Sequence, residues 1–234
     1  MKRRVTAELL DDDLGTPEEI ASSLLDLRHI NEWFGGTRTT VTLLRRIARE
    51  TGQRELSLLE VGAGSGDVPI EAQRVLAREG ITLRITLLDR VWSHLPGKAI
   101  PSVSGDALRL PFRDDAFDVI SSSLFAHHFD PDTLPLLLRE ALRVSRRAVL
   151  VNDLVRSRLH LLLVYLGLPL FRSRITWHDA PASVRRAYTV EEMRTILTEV
   201  PAQRVEVSRR FLFRMGVLIW KQDLGENAEQ PRRI

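Results

Sequence analysis

Three glycines at alternate positions, Gly62, Gly64 and Gly66, follow the run Leu56-Ser57-Leu58-Leu59-Glu60-Val61 and precede a helical pattern over Val68 to Leu76. A strand, a glycine turn and a helix in that order present bare backbone N–H groups and the positive end of a helix to a ligand. Glycine suits such a turn because any side chain holds the ligand off the backbone. Two acids stand where later strands end: Asp89, with Arg90 behind it, and Asp106 in Gly105-Asp106-Ala107. Further on, His127-His128 follow the serine run Ser121 to Ser123. A histidine, with an ordinary pKa near ~6.5, is the side chain best matched to moving a proton at working pH.

The elements that position these residues alternate. Beyond the glycine turn, Leu83 to Leu88, Ile100 to Val103, Phe117 to Ser121 and Arg147 to Val151 are apolar runs of strand length, and Thr133 to Val144 has helical spacing. Such alternation predicts an α/β, doubly wound sheet with ligands at the C-terminal ends of its strands. Ahead of it, Thr16-Pro17-Glu18-Glu19 opens a helix carrying Ile20, Leu24, Leu27 and Ile30, and a second helix runs over Thr39 to Glu50. Residues 1–55 thus form an N-terminal helical cap, and the ligand-binding domain occupies 56–222. Residues 154–187 interrupt the alternation as a helical insertion after the fifth strand, apolar from Leu159 to Phe171. Thr189 with Glu192 completes a capping box. Val205 to Ser208 and Met215 to Trp220 form a closing antiparallel pair, and 223–234 is a polar tail.

Bulk properties exclude several classes. The 234 residues are 44% hydrophobic and 28% charged, ordinary values for a globular chain. Arginine and lysine number 34 against 31 acids and are scattered among them, so nucleic acid is not an expected partner. With no cysteine, disulfides and thiolate chemistry are absent. No signal-peptide core is present and no apolar run is long enough to span a bilayer, so the expected location is cytoplasmic. No cluster of His, Asp and Glu has metal-ligand spacing, and no metal is expected.

The spacing G-x-G-x-G departs from the dinucleotide fingerprint G-x-G-x-x-G. Together with Glu60, with Gly105-Asp106-Ala107 before Leu110-Pro111-Phe112, and with Asp114-Asp115-Ala116-Phe117-Asp118-Val119-Ile120, it resembles the class I S-adenosyl-L-methionine (SAM) methyltransferases. The small-molecule branch, similar to the menaquinone/ubiquinone methyltransferase type, fits best. The resemblance implies a Rossmann-like seven-stranded sheet whose last strand is antiparallel. It implies SAM as cofactor, with S-adenosyl-L-homocysteine as product. It places Glu60, Gly62, Ala63, Gly64, Gly66, Asp89, Arg90, Asp106, Ala107 and Ser123 around that cofactor, with Asp89 on the ribose hydroxyls and Asp106 on the adenine amino group.

The acceptor side opens after the fourth strand, where His127 or His128 is a candidate general base or, alternatively, a capping and packing residue. Trp33 and His178 are candidate substrate contacts, Trp33 alternatively packing the N-terminal helices. The D/N-P-P-Y/F motif of nucleobase and amide methyltransferases is missing. The apolar stretch Leu159 to Phe171, read as a lid or wall over a greasy ligand or alternatively as a core or dimer helix, makes the expected acceptor a small, largely apolar molecule methylated at a phenolic or enolic oxygen. Methylation at carbon of a quinone-type ring, an RNA-directed activity and a non-catalytic SAM-binding protein are the alternatives. A homodimer is a further candidate assembly.

Overall fold

The computed structural model describes residues 1–11 and 13–221, so the tail expected at 223–234 lies outside the described residues. Two helices come first, α1 (Pro17–Trp33) and α2 (Gly36–Thr51). Thr16 caps α1 by the expected reciprocal arrangement with Glu19. Then follow β1 (Glu55–Val61), α3 (Asp67–Ala77), β2 (Thr82–Asp89), β3 (Ser102–Ser104), β4 (Phe117–Ser123), α4 (Leu134–Val144) and β5 (Ser145–Leu154). The insertion supplies α5 (Arg158–Gly167) and α6 (Arg174–Arg186). The chain closes with α7 (Val190–Leu197), β6 (Arg204–Arg210) and β7 (Arg214–Trp220).

The seven strands form one sheet in the order β3-β2-β1-β4-β5-β7-β6. All neighbours from β3 to β5 are parallel, and β7 runs antiparallel to both β5 and β6. Strand order reverses between β1 and β4, which opens the crevice that doubly wound sheets use for ligands. Side chains alternate between two cores. Leu56 and Leu58 pack with Leu44 and Ile47 of α2 and Leu76 of α3; Leu59 and Val61 pack with Leu137 and Leu138 of α4 and Met193 of α7.

Several boundaries differ from expectation. The fifth strand continues to Leu154 rather than stopping at Val151, and the helix expected from Leu154 starts only at Arg158. The polar pair Asn152-Asp153 is buried and still extends the strand, with partners for the Asn152 amide nitrogen and the Asp153 carboxylate, while Asn152 Oδ1 has none among the described residues. Asn152 Nδ2 donates to Gly36 O at 2.8 Å and to Thr40 Oγ1 at 2.9 Å. Ser157 then caps α5 by accepting the His160 N–H. The third strand forms two residues later than read, at Ser102, and the second helix begins at Gly36 instead of Thr39.

Residues 1–11 run as a strap across α6 and the segment after β4. The Arg4 N–H donates to Arg185 O at 3.1 Å. Arg3 Nη2 donates to His127 O at 3.2 Å and to Phe129 O at 2.9 Å. The N–H groups of Leu9 and Leu10 donate to the two carboxylate oxygens of Asp179 at 2.8 and 3.0 Å.

The insertion is tied to α1 by one buried carboxylate. Asp26 is 4% exposed and accepts the N–H groups of Arg172 and Ser173, at 3.1 and 3.0 Å, just ahead of α6. Removing it leaves buried donors unpaired at the positive end of a helix. Asp26→Ala is expected to lower stability to urea by about 1–3 kcal/mol, the cost of orphaning such groups. A loss below about 0.5 kcal/mol, within the range of ordinary surface changes, shows that water replaces the carboxylate without penalty.

Candidate active site

A cavity of about 570 Å³ opens at the C-terminal ends of β1, β2, β4 and β5. That is the size of a ligand site for a small molecule. The glycine turn, Asp89 and Asp106 form one end; His127, His128, Leu154 and Arg214 form the other. Leu24, Leu27 and Asn31 of α1, Leu163 and Val164 of α5, and Glu8 and Asp11 of the strap cover it.

The three glycines serve different ends. A Cβ on Gly64 meets nothing nearer than Leu24 Cδ2 at 3.8 Å, so it points into free space on the cavity wall. A Cβ on Gly62 lies 2.4 Å from the Phe125 ring, so this glycine lets β1 pack against the segment after β4. Gly66 does not line the cavity; a Cβ there strikes Leu87 Cδ1 at 2.6 Å, so its role is to seat α3 on β2. Ala63 and Ala107 line the wall, as do Arg90, which donates to Asp11 O at 3.0 Å, and Ser123.

Asp89 holds the turn directly. Its Oδ2 accepts the Gly64 N–H at 2.8 Å and its Oδ1 the Val91 N–H at 3.0 Å. Asp106 Oδ1 accepts the Leu108 N–H at 2.9 Å. Glu60 is 1% exposed and its Oε2 has no protein partner. Burial pushes its pKa up to about 7, against the opposing effect of the neighbouring Ser121 and Ser123. A carboxyl so placed is free to meet a donor on a bound ligand.

The other end is charged. His127 is 2% exposed, and its Nδ1 stands 2.7 Å from Asp153 Oδ1 while its backbone N–H donates to Asp153 Oδ2 at 2.9 Å. Its Nε2 lies 3.7 Å from Glu8 Oε1 and has no hydrogen-bond partner. Burial alone lowers the pKa of this ring, but the charges of Asp153 and Glu8 outweigh it and raise the value to about 10. Burial raises Asp153 and Glu8 in turn, and the imidazolium more than offsets it, holding both below the usual carboxylate range. The buried ring is therefore a cation at neutral pH and not a proton acceptor. His128 places its Nδ1 2.7 Å from Asp11 Oδ2.

Two expected substrate contacts lie elsewhere. Trp33 is 55% exposed and stacks on His29 with ring centroids 5.1 Å apart; its neighbour Phe34 lines the cavity instead. The ring of His178 faces away from the cavity and bonds Asp179 Oδ1 through Nδ1 at 2.8 Å, although adjacent residues usually diverge. His160 does line the cavity, buried, its Nδ1 3.0 Å from Val155 O and its ring stacked on Phe213. Four residues escaped the sequence reading: Glu8, Asp11, Asp153 and Arg214. Arg214 is 1% exposed and lines the cavity, with Nη2 donating to Asn31 Oδ1 at 3.0 Å and with Nε and Nη1 unpartnered. Burial brings its pKa down to about 10, so it stays charged at neutral pH.

Comparison with known proteins places this architecture. Residues 59–150 match the family described as a methyltransferase domain. No curated protein matches the sequence significantly. Among solved structures, the chain resembles a SAM-dependent methyltransferase of Aquifex aeolicus at 16% identity and a TM-score of 0.54, covering 75% of this chain and 88% of that one. It resembles human N-acetylserotonin methyltransferase, solved with SAM, at 13% identity and a TM-score of 0.60, over 88% of this chain and 57% of that one. The magnesium protoporphyrin IX methyltransferase of Synechocystis PCC 6803, solved with bound S-adenosyl-L-homocysteine, matches at 14% identity and a TM-score of 0.52. It covers 80% of this chain and 84% of that one. Identities this low speak for the fold alone, and the family match covers the segment that builds the glycine turn. Residues 59–150 thus match a methyltransferase-domain family, and the chain has the fold of solved SAM-dependent methyltransferases.

Proposed function

We propose that this enzyme methylates an oxygen of a small, largely apolar acceptor that reacts as its anion, a phenolate or enolate. The observation that carries this reading is the buried cationic His127, a residue of the same cavity as the glycine turn whose Nε2 has no hydrogen-bond partner among the described residues. SAM supplies an electrophilic methyl on a sulfonium sulfur. The chain's residues suit holding it: Gly64 leaves backbone bare, Asp89 and Asp106 offer carboxylates to ribose and adenine, and the free oxygen of Glu60 suits the ammonium group.

At the far end, an acceptor oxygen that has lost its proton meets a positive charge already in place. Fixed charge aimed at an anion inside a dry cavity costs no reorganisation during reaction. Asp153 orients the His127 ring and keeps it protonated. Arg214 adds a second buried cation with two free donors, which suits a second oxygen on the same acceptor. The apolar side chains of α1 and α5 exclude water and favour a hydrophobic ring between the two ends. No helix of the described residues is long and apolar enough to cross a membrane, so the acceptor meets a site outside any transmembrane helix.

Product analysis against a panel of phenols and enols of graded acidity tests the acceptor class. Methyl ethers are expected, and exclusive methylation at ring carbon, or none at all, refutes it. For the cofactor end, Gly64→Leu is expected to abolish SAM binding without unfolding the domain. Asp89→Ala is expected to weaken it by about 1–3 kcal/mol, the scale for charge-assisted hydrogen bonds. Unchanged calorimetric affinity in both variants removes these residues from the site.

The charge on His127 has a consequence for stability. A histidine raised from 6.5 to about 10 in the fold contributes stabilisation that is fully present below 6.5 and is lost as pH rises through 10. Denaturation in the presence of a chelator is therefore expected to show stability falling from pH 7 to about 10 more steeply in wild type than in His127→Gln. Equal slopes would falsify the cationic assignment.

A further inference from the structure

Three side chains on the cavity wall each have one polar atom anchored and another left free. His127 Nδ1 stands on Asp153 at 2.7 Å, and His128 Nδ1 on Asp11 at 2.7 Å. Glu8 Oε2 is 2.9 Å from the Ser183 hydroxyl. The free atoms are the two Nε2 nitrogens and Glu8 Oε1, and one donor atom from each of the three residues lies within 4.8 Å of the others. Glu8 and His127 are buried, and Glu8 Oε1 and His127 Nε2 have no hydrogen-bond partner.

This is the donor set and support of a metal centre. Imidazoles that ligate a metal through Nε2 typically donate Nδ1–H to a carboxylate, which fixes the tautomer and turns the ring. Both histidines are held in that way, by carboxylates from different parts of the chain. Two donors bound to one ion at ~2.1 Å and a tetrahedral angle lie about 3.4 Å apart. The His127 Nε2–Glu8 Oε1 separation is 3.7 Å and that from His128 Nε2 to Glu8 Oε2 is 4.0 Å, so small ring and carboxyl rotations close the set. Asp11 and Asp153 stand behind the rings; Arg186 lies against Asp11 and His128, and the buried Arg214 lines the same cavity.

We infer that Glu8, His127 and His128 bind one divalent first-row transition-metal ion of the Zn²⁺ class, with Asp153 and Asp11 as positioning residues. Two imidazoles and one carboxylate leave at least one coordination position open, and these three residues all line the cavity. The ion takes the place of the proton on His127 Nε2 and keeps a positive charge there. An acceptor hydroxyl at the open position then gives its proton to solvent water and remains as the oxyanion. The site itself stands apart from the acceptor reading; only that role rests on it. Sequence spacing pointed to no metal because the third ligand comes from the strap, far from the histidines.

The test is a Co²⁺ titration of the metal-stripped, tag-free full chain at pH 7.5, followed by visible absorption, with Zn²⁺ as competitor. A saturable band at one equivalent, displaced by Zn²⁺, is expected. Glu8→Gln and His128→Gln are each expected to weaken Co²⁺ binding by more than tenfold. Asp153→Asn should weaken it by roughly 10- to 100-fold, the scale for losing such an outer partner. SAM affinity in Glu8→Gln should stay within about twofold of wild type, which shows that the fold is intact. Absence of saturable binding, or wild-type affinity in both Glu8→Gln and His128→Gln, overturns the inference. Stoichiometric binding without methylation of any phenol leaves the metal site standing and refutes the acceptor reading. Methylation by a chain that binds no Co²⁺ does the reverse.

Discussion

Asp153 lies fully buried at the end of β5, and an ionised carboxylate there persists only because a cation stands against it. Removing one partner of such a pair leaves a charge stranded in low dielectric, a loss of several kcal/mol. The sheet makes the pairing possible. Parallel pairing of β4 with β5 brings Ser123 opposite Asn152, so the turn after β4 delivers His127 beside Asp153. The strap depends on this in turn, because Arg3 binds the carbonyls of His127 and Phe129 and Glu8 reaches the far side of the same ring. One buried ion pair thus locates the loop after β4, the strap and the far wall of the cavity.

The glycine-turn end of the cavity was legible because it is local. Glu60, the glycine turn and Asp89 come from consecutive elements, and strand, turn and helix follow from residues within one supersecondary unit. The doubly wound α/β class followed from the alternation, and the closing antiparallel pair from the last two apolar runs. What escaped is built across the chain. Glu8 sits in an irregular acidic segment with no periodicity, Asp153 at the end of an apolar strand, and Arg214 among other arginines at a strand start. Nothing in their immediate sequence separates them from solvated charges.

The misplaced residues fail for equally physical reasons. Trp33 is the last residue of α1, and a helix rotates its side chains by about 100° per residue, so Phe34 and Trp33 cannot share a face. His178 and Asp179 bond each other because α6 exposes the histidine while burying the acid. Gly66 looked like its neighbours in sequence but answers to Leu87. A motif shows that a turn is needed, and packing decides which of its residues a ligand meets.

The strap belongs to no sheet ladder and is held mostly by side-chain bonds to α6 and to the loop after β4. Segments held in this way open at a smaller free energy than the strands beneath them. The strap also carries Glu8 and Asp11, which stand against His127 and His128, with Asp11 against Arg186 as well. Glu8 and Asp11 are therefore carried by a segment outside the sheet, so the strap supplies both part of the cover of the cavity and two of its negative charges.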